Sequence, residues 1–338
     1  MGRRKGFAER FGTLAALVGA LSAVACGASP ERGSEGDSDP TVATSEGATT
    51  KTKPAKHPIV LAHGFNASPS NEWGFHRTAA ALRSDGNTVV EASVEPFASV
   101  RVRAKSLAAE VDRVLAASGA AKVNILAHSM GGLDARVLVG DLGYADRVAS
   151  ITTISTPHRG SAVADAALSV VPSSAAVDAL ATCWAGTFTR ESLAEGSDVR
   201  AALADLAEAN AATFEAEHPI PEGVYAQSWA GVSAAFGSSL NARREREVCE
   251  DRFWRGITKH DAMATSLLPN ALFVAGHPGM DPNDGMATVT SAKWGNFRGC
   301  IPADHLDEVG SSTGVSATGV DYVAFYRDVV TDLAGRGY

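Results

Sequence analysis

One strand-to-helix junction in the middle of the chain constrains the fold more than any other segment. Residues 123–127 form an apolar run that predicts a buried strand, and the residues from Leu133 onward predict a helix. Ser129 lies between them, with Ala127 before it and Gly131 after it. Small residues there fit a sharp, strained turn that lifts a serine hydroxyl out of a sheet. The junction predicts a serine nucleophile; the alternative is an ordinary strand–turn–helix connection with a solvent-facing serine.

The backbone near this serine offers hydrogen-bond donors for a negatively charged oxygen. The N–H of Met130 lies at the predicted helix N-terminus, where an oxyanion is stabilised. In folds with such a turn the second donor comes from a loop after an early strand. Residues 58–62 predict that strand, and Gly64 and Phe65 follow it. Phe65 N–H is therefore the second predicted donor, while His63 is interpreted as a structural residue that holds the loop.

Strands and helices alternate along most of the chain. Predicted strands cover 58–62, 88–92, 122–127, 148–154, 224–229 and 271–275, and predicted helices cover 74–83, 104–117, 132–139 and 319–333. Such alternation predicts an α/β fold: a mostly parallel central sheet with helices on both faces and a ligand site at the carboxyl ends of the strands. Residues 162–222 are rich in Ala and Leu and predict a helical lid or cap over those ends, or else packing helices without a gating role.

The amino terminus predicts export. Residues 3–5 are basic, and residues 14–25 are apolar but too few to span a bilayer. Small residues at 23–25 form a cleavage site, so residues 1–26 are interpreted as an export signal. Cys26 directly follows, as in the lipid-modified cysteine of bacterial lipoproteins. The protein is predicted to be a cell-surface or outer-membrane lipoprotein, anchored to the membrane through lipid; free secretion is the alternative.

Composition separates a tether from a catalytic domain and excludes one class of partner. Residues 27–56 are polar and nearly lack large apolar side chains, so they predict a disordered tether. Residues 57–338 are interpreted as one domain that contains the cap. The formal net charge of −8 at pH 7 argues against a nucleic-acid partner.

A histidine and a carboxylate must support the serine. In folds with this junction the order along the chain is serine, carboxylate, histidine. Among the later histidines, only His305 follows the last predicted strand with a carboxylate-bearing loop before it. Residues 283–285 (Asn-Asp-Gly) have turn chemistry directly after the predicted strand 271–275. Asp284 is the predicted acid and Asp281 the fallback; the alternative is a plain polar turn.

The chain resembles the bacterial true lipases of the Pseudomonas and Burkholderia type, which have the α/β-hydrolase fold. The matching stretches are 61–65, 128–133, 151–161, 283–286 and 304–309. The Thr-Pro-His-Arg-Gly-Ser and His-Leu-Asp-Glu-Val segments are more specific than the serine turn alone. The resemblance implies Ser129, Asp284 and His305 as the catalytic triad, with the Phe65 and Met130 N–H groups as the oxyanion hole.

The same resemblance implies a structural calcium ion and a disulfide, but no organic cofactor. The calcium ligands would be Asp307, two residues after the catalytic histidine, and Asp261. The alternative is a metal-free loop in which Asp307 forms a salt bridge. The implied disulfide joins Cys249 to Cys300. A dedicated folding chaperone is a candidate partner.

Two classes of function follow from these residues. The first is an exported serine ester hydrolase, a lipase that cleaves acylglycerols or long-chain acyl esters at a lipid–water interface. A short-chain esterase or a polyester depolymerase could use the same triad. The second class is a surface-anchored binding protein that keeps the fold without turnover. The completeness of the nucleophile, acid, base and oxyanion loops favours an enzyme.

Overall fold

The computed structural model describes residues 53–338 apart from residues 68, 70–73, 76, 171–197, 235–238, 240, 266, 275–280 and 311–319. The predicted export signal, Cys26, nearly all of the tether and the middle of the predicted cap lie outside the described residues. Cys183, the cysteine that has no implied partner, also lies outside them.

The described strands form one parallel sheet. Its strands are β1 (Ile59–Ala62), β2 (Val89–Glu91), β3 (Val123–His128), β4 (Val148–Ile154), β5 (Tyr225–Gly231) and β6 (Asn296–Ile301). The order across the sheet is β2-β1-β3-β4-β5-β6, and every neighbouring pair is parallel. The predicted sheet of an α/β-hydrolase fold is confirmed.

Helices cover both faces of the sheet. They are α1 (Thr78–Ser84), α2 (Val100–Ser118), α3 (Gly131–Val139), α4 (Ala162–Val170), α5 (Val199–Leu206), α6 (Glu208–Glu217), α7 (Ala242–Val248), α8 (Leu268–Val274), α9 (Val289–Ala292) and α10 (Tyr322–Arg336). Because side chains alternate along a strand, Ile125 packs with α2 and α3 on one face, while Leu126 packs with α1 and α10 on the other. Within the residues that the structure describes, no helix has the length and apolar character needed to cross a membrane.

The prediction of a strand at 271–275 is wrong. Residues 268–274 form helix α8, and a short apolar run cannot by itself distinguish a strand from a buried helix. The last strand is β6, whose sequence Asn-Phe-Arg-Gly-Cys-Ile lacks a strand pattern. Its ladder with β5, interrupted by a register shift beside Trp229, holds it in the sheet. His305 therefore follows β6, and Asp284 comes after a helix.

The described parts of the predicted cap are helical. Helices α4, α5 and α6 all contact one another. Apolar side chains of α5, including Ala202 and Leu206, pack against Met130 and Leu133, next to the serine turn. This packing places the predicted cap against the helix that follows Ser129.

Candidate active site

The serine turn is as sharp as its small residues predict. Ser129 has a φ of 55°, a backbone conformation that residues other than glycine rarely adopt and that the surrounding turn must hold in place. Its N–H donates to the carbonyl of Ile154 at the end of β4 (2.9 Å). A Cβ at Gly131 would overlap the carbonyls of Ala62 and His63, and one at Gly132 would overlap Thr156. Only glycine lets the helix pass this close to the neighbouring strand ends.

Three distant residues meet at this turn. His305 Nε2 lies 2.9 Å from Ser129 Oγ, and His305 Nδ1 lies 2.7 Å from Asp284 Oδ2. Because a carboxylate only accepts, Nδ1 donates to Asp284, which leaves Nε2 to accept the serine proton. Asp281, the fallback acid, instead pairs with Arg244 (3.0 Å). The structure therefore brings together the three residues predicted as nucleophile, base and acid.

Asp284 is held as a carboxylate although it is fully buried. Its second oxygen accepts the N–H groups of Met286 (2.8 Å) and Ala287 (2.7 Å). Burial pushes the pKa of Asp284 up, but the His305 ring and these two amides outweigh it and bring that pKa below its usual value. A charged acid at this position can orient the ring and stabilise its protonated form.

The predicted oxyanion loop lies directly against the serine. A Cβ at Gly64 would be 2.6 Å from Ser129 Cβ, so only glycine allows this approach. Phe65 follows it, with its ring packed edge-on against Phe97 (centroids 5.3 Å apart), and Met130 is fully buried at the start of α3. The predicted N–H donors Phe65 and Met130 thus directly follow Gly64 and Ser129, the two residues in contact here.

Arg103 supports this loop from the buried interior, a role that the sequence did not predict. The Arg103 guanidinium, fully buried, donates to the carbonyls of His63 and Glu95 (both 2.7 Å) and to the Asp134 carboxylate (2.9 Å). The available signal was an arginine on the apolar face of α2, between Val100 and Leu107. Burial and the nearby Arg103 lower the pKa of His63 to about 3, so His63 stays neutral, in line with its interpretation as a structural residue.

The Thr-Pro-His-Arg-Gly-Ser segment ties β4 to the turn that carries the acid. Ser161 Oγ donates to the carbonyl of Met286 (2.6 Å), and Ser291 Oγ donates to that of Gly160 (2.6 Å). Arg159 Nη1 donates to the Thr290 carbonyl (2.7 Å). The segment therefore fixes the acid turn and starts helix α4 of the predicted cap.

A second buried carboxyl, that of Glu308, lies against His128, the residue before the nucleophile. Glu308 Oε1 accepts from Ser155 Oγ (2.6 Å), and Oε2 lies 3.0 Å from His128 Nε2. Burial, then the charge of Asp284, raise the pKa of Glu308 well above its usual value. Burial likewise lowers the pKa of His128, and His305 adds to that effect. No sequence pattern indicated a role for Glu308, although it belongs to the His-Leu-Asp-Glu-Val segment.

The two predicted calcium ligands also meet. Asp261 is fully buried, and its carboxyl is hydrogen-bonded to that of Asp307. Burial, this contact and the charge of Asp304 raise the pKa of Asp307 to about 9. Asp304 Oδ1 accepts the N–H groups of Leu306 and Asp307 (both 2.9 Å), which shapes the loop. Among the described residues Asp307 has no salt bridge. The adjacent carboxyls of Asp261 and Asp307 offer the hard oxygen donors that Ca²⁺ takes, so these residues fit the ion.

Cys249 and Cys300 form the disulfide that the resemblance implies. Cys300 lies on β6, the strand that leads to Asp304 and His305. The bond therefore joins that strand to the end of helix α7.

Known proteins match this chain over most of its length. The α/β-hydrolase fold family model matches residues 57–181. A triacylglycerol lipase of Pseudarthrobacter phenanthrenivorans is 35% identical over 317 residues, with 83% of this chain and 98% of the relative covered. One from Burkholderia plantarii is 34% identical, with 83% and 87% covered. One from Vibrio cholerae serotype O1 is 31% identical, with 83% and 89% covered.

Solved structures agree in fold. The Staphylococcus hyicus lipase superimposes with a TM-score of 0.58 at 17% identity, over 84% of this chain and 98% of that one. The mature Bacillus licheniformis lipase BlEst2 gives 0.56 at 21%, over 82% and 94%. The sequence relatives show that the chain belongs to the bacterial triacylglycerol lipases, which are carboxylic ester hydrolases of the α/β-hydrolase fold.

Proposed function

We propose that this chain is an exported serine lipase that cleaves acylglycerols or other long-chain acyl esters through an acyl-enzyme on Ser129. The observation that carries the proposal is the line of hydrogen bonds from Ser129 Oγ through His305 to Asp284, with heavy-atom distances of 2.9 Å and 2.7 Å. In this proposal residues 57–338 act as one catalytic domain, and the helices of 162–222 form its cap.

The proposed reaction has two halves. Ser129 Oγ attacks the ester carbonyl carbon while His305 Nε2 takes its proton, and the N–H groups of Phe65 and Met130 stabilise the resulting oxyanion. His305 then gives that proton to the leaving alcohol, which leaves an acyl group on Ser129. Water attacks the acyl group, His305 takes the water proton, and collapse of the second tetrahedral intermediate returns it to Ser129 and releases the fatty acid.

Calcium belongs to this proposal as a structural element. Asp261 and Asp307 would hold the ion, and Asp304 would shape the loop through its hydrogen bonds to backbone N–H groups. When bound, the ion supplies positive charge that lets clustered carboxylates stay ionised. The His305 loop would be ordered by this means, while the ion takes no part in the reaction.

Export and a lipid anchor on Cys26 are proposed from the basic and apolar amino terminus and from the small residues before the cysteine. The Cys249–Cys300 disulfide supports the proposal, because disulfides persist mainly in oxidising compartments. Intact-mass measurement of protein from its native membrane should find a diacylglyceryl group on Cys26. An unmodified mature protein in the culture medium would instead favour free secretion.

The substrate class is proposed from the relatives, which are triacylglycerol lipases. A series of p-nitrophenyl esters from acetate to palmitate separates a lipase, which prefers long chains, from a short-chain esterase. Release of monomers from a polyester film would identify a depolymerase. Refolding of the purified chain without helper proteins tests whether a dedicated chaperone is required.

The decisive experiment removes the nucleophile. Ser129→Ala should lower turnover on the order of a million-fold, as the loss of a triad nucleophile does elsewhere. A fluorophosphonate probe should label wild type at Ser129 alone, and labelling of a different serine would overturn the assignment. A folded wild type that neither reacts with the probe nor hydrolyses any ester in the series would indicate a binding protein on this fold.

A further inference from the structure

Glu308 is a buried carboxyl that the proposed reaction leaves unused. Its side chain is fully buried, and both of its oxygens are hydrogen-bonded. A Cβ at Gly231 would overlap Glu308 Oε1, so the fold keeps a glycine there to make room for this carboxyl. Space reserved for a buried acid, at a cost in desolvation, indicates a specific task.

The hydrogen bonds of Glu308 connect three neighbouring strand ends. Gly231 N–H, at the end of β5, donates to Ser155 Oγ (2.8 Å), and Ser155, directly after β4, donates to Glu308 (2.6 Å). The other oxygen of Glu308 contacts His128, the last residue of β3 and the residue before the nucleophile (3.0 Å). Ser155 has a φ of 48°, so this strand end also leaves the sheet through a turn that must be held.

His128 extends the connection to the catalytic histidine. The two rings are in contact, with their centroids 4.5 Å apart. A continuous set of contacts thus runs from Gly231 through Ser155, Glu308 and His128 to the ring of His305.

We propose that Glu308 is a positioning residue for catalysis, which supports the His305 ring through the His128 ring packed against it, while Asp284 orients the His305 ring through a hydrogen bond. Glu308 lies three residues after His305, in the short helical turn Asp307–Val309, so its anchoring also fixes the segment that carries the base. A displacement of about 1 Å at a catalytic group can cost roughly a hundred-fold in rate. This inference rests on the proposed roles of Ser129 and His305.

The test compares two substitutions of the same residue. Glu308→Gln offers an acceptor for Ser155 and a donor for His128, so it should keep the connection and retain kcat within about five-fold. Glu308→Leu has a similar size but no polar atom, so it should lower kcat about a hundred-fold while KM changes less than about two-fold. Glu247→Leu, at an exposed site on α7, is the matched control for loss of a glutamate.

Turnover is measured per active site, by titration with a fluorophosphonate, so that misfolded protein does not count. If labelled Glu308→Leu sites turn over like wild type, Glu308 only stabilises the fold and the inference is wrong. It is also wrong if Glu308→Gln loses as much kcat as Glu308→Leu. If Glu308→Leu yields no folded protein, Ser155→Ala decides: a kcat loss of several-fold supports the inference, and wild-type turnover overturns it. A wild type that does not react with the probe would instead refute the proposed function.

Discussion

Two buried acidic regions flank His305, and they treat their carboxyls in opposite ways. The acid turn, residues 283–287, holds Asp284 with a pKa below its usual value. The segment after the β6 strand, residues 304–309, holds Asp304, Asp307 and Glu308 with raised pKa values. Burial acts in the same direction on all four carboxyls. The difference must therefore come from the groups that point at each of them.

Asp304 shows which group decides. Its carboxyl accepts three backbone N–H groups, those of Ala264, Leu306 and Asp307, whereas Asp284 accepts two. Burial still raises the pKa of Asp304, with Asp261 adding to it, because the amides only partly compensate. Asp284 alone has the His305 ring, whose attraction completes the compensation. Amide donors shape a buried carboxyl, but a group that can carry positive charge keeps it ionised.

The largest expected effect comes from the acid turn. Asp284→Asn keeps the shape of the side chain but can no longer require the Nδ1–H tautomer of His305. Turnover should fall about ten-thousand-fold, as in the equivalent change in a serine protease. The same chemical change in the other region, Glu308→Gln, should cost only a few-fold. Steady-state kinetics with active-site titration measures both, and comparable losses in the two variants would remove the distinction between the regions.

Bound Ca²⁺ should make the 304–309 segment resemble the acid turn, with ionised carboxyls, because the ion supplies the positive charge that this segment lacks. In a chelator, Asp307→Asn should melt at or above wild type, because it removes one of two crowded carboxyls. In millimolar calcium, wild type should melt higher, with about 2.7 kcal/mol gained at a hundred-fold excess over Kd. The variant should lose this gain and up to roughly a hundred-fold in kcat.

Thermal melts of both proteins in chelator and in calcium test whether the order of their melting temperatures reverses between the two conditions. Asp281→Asn is the control, since Asp281 is a partly exposed aspartate that pairs with Arg244. Absence of a calcium shift in wild type would end the calcium proposal. A shift that persists in Asp307→Asn would move the site to other residues.

The smallest effect on turnover is expected at the disulfide, which joins β6, just before the 304–309 segment, to the end of helix α7. Cys249 and Cys300 are 51 residues apart, so the loss of their bond should destabilise the protein by about 4 kcal/mol. The double variant Cys249→Ser/Cys300→Ser should keep kcat per titrated site, because hydrogen bonds still hold the His305 segment. Urea unfolding and titrated kinetics check the two parts. A loss of turnover above ten-fold would mean that the hydrogen bonds alone do not position the base.

The sequence by itself determined the parts of this protein that depend on neighbours along the chain. The turn at Ser129 needs small residues within three positions, and the acid turn at Asp284 is built by its own Asn and Gly. The order of serine, acid and histidine along the chain is that of the α/β-hydrolases, so the resemblance to lipases implied Asp284 and His305 although the segment predicted as a strand before the acid is a helix. For these reasons the three residues that meet in the structure could be named from the sequence.

Tertiary structure alone decided which polar residues support them. Arg103 reaches the oxyanion loop from 40 residues away, and Glu308 contacts Ser155 and His128 across more than 150 residues. The β6 strand likewise forms only because the β5 ladder accepts a segment without strand character. Burial in a shared interior makes such contacts strong, and no local pattern records which distant groups will be buried together.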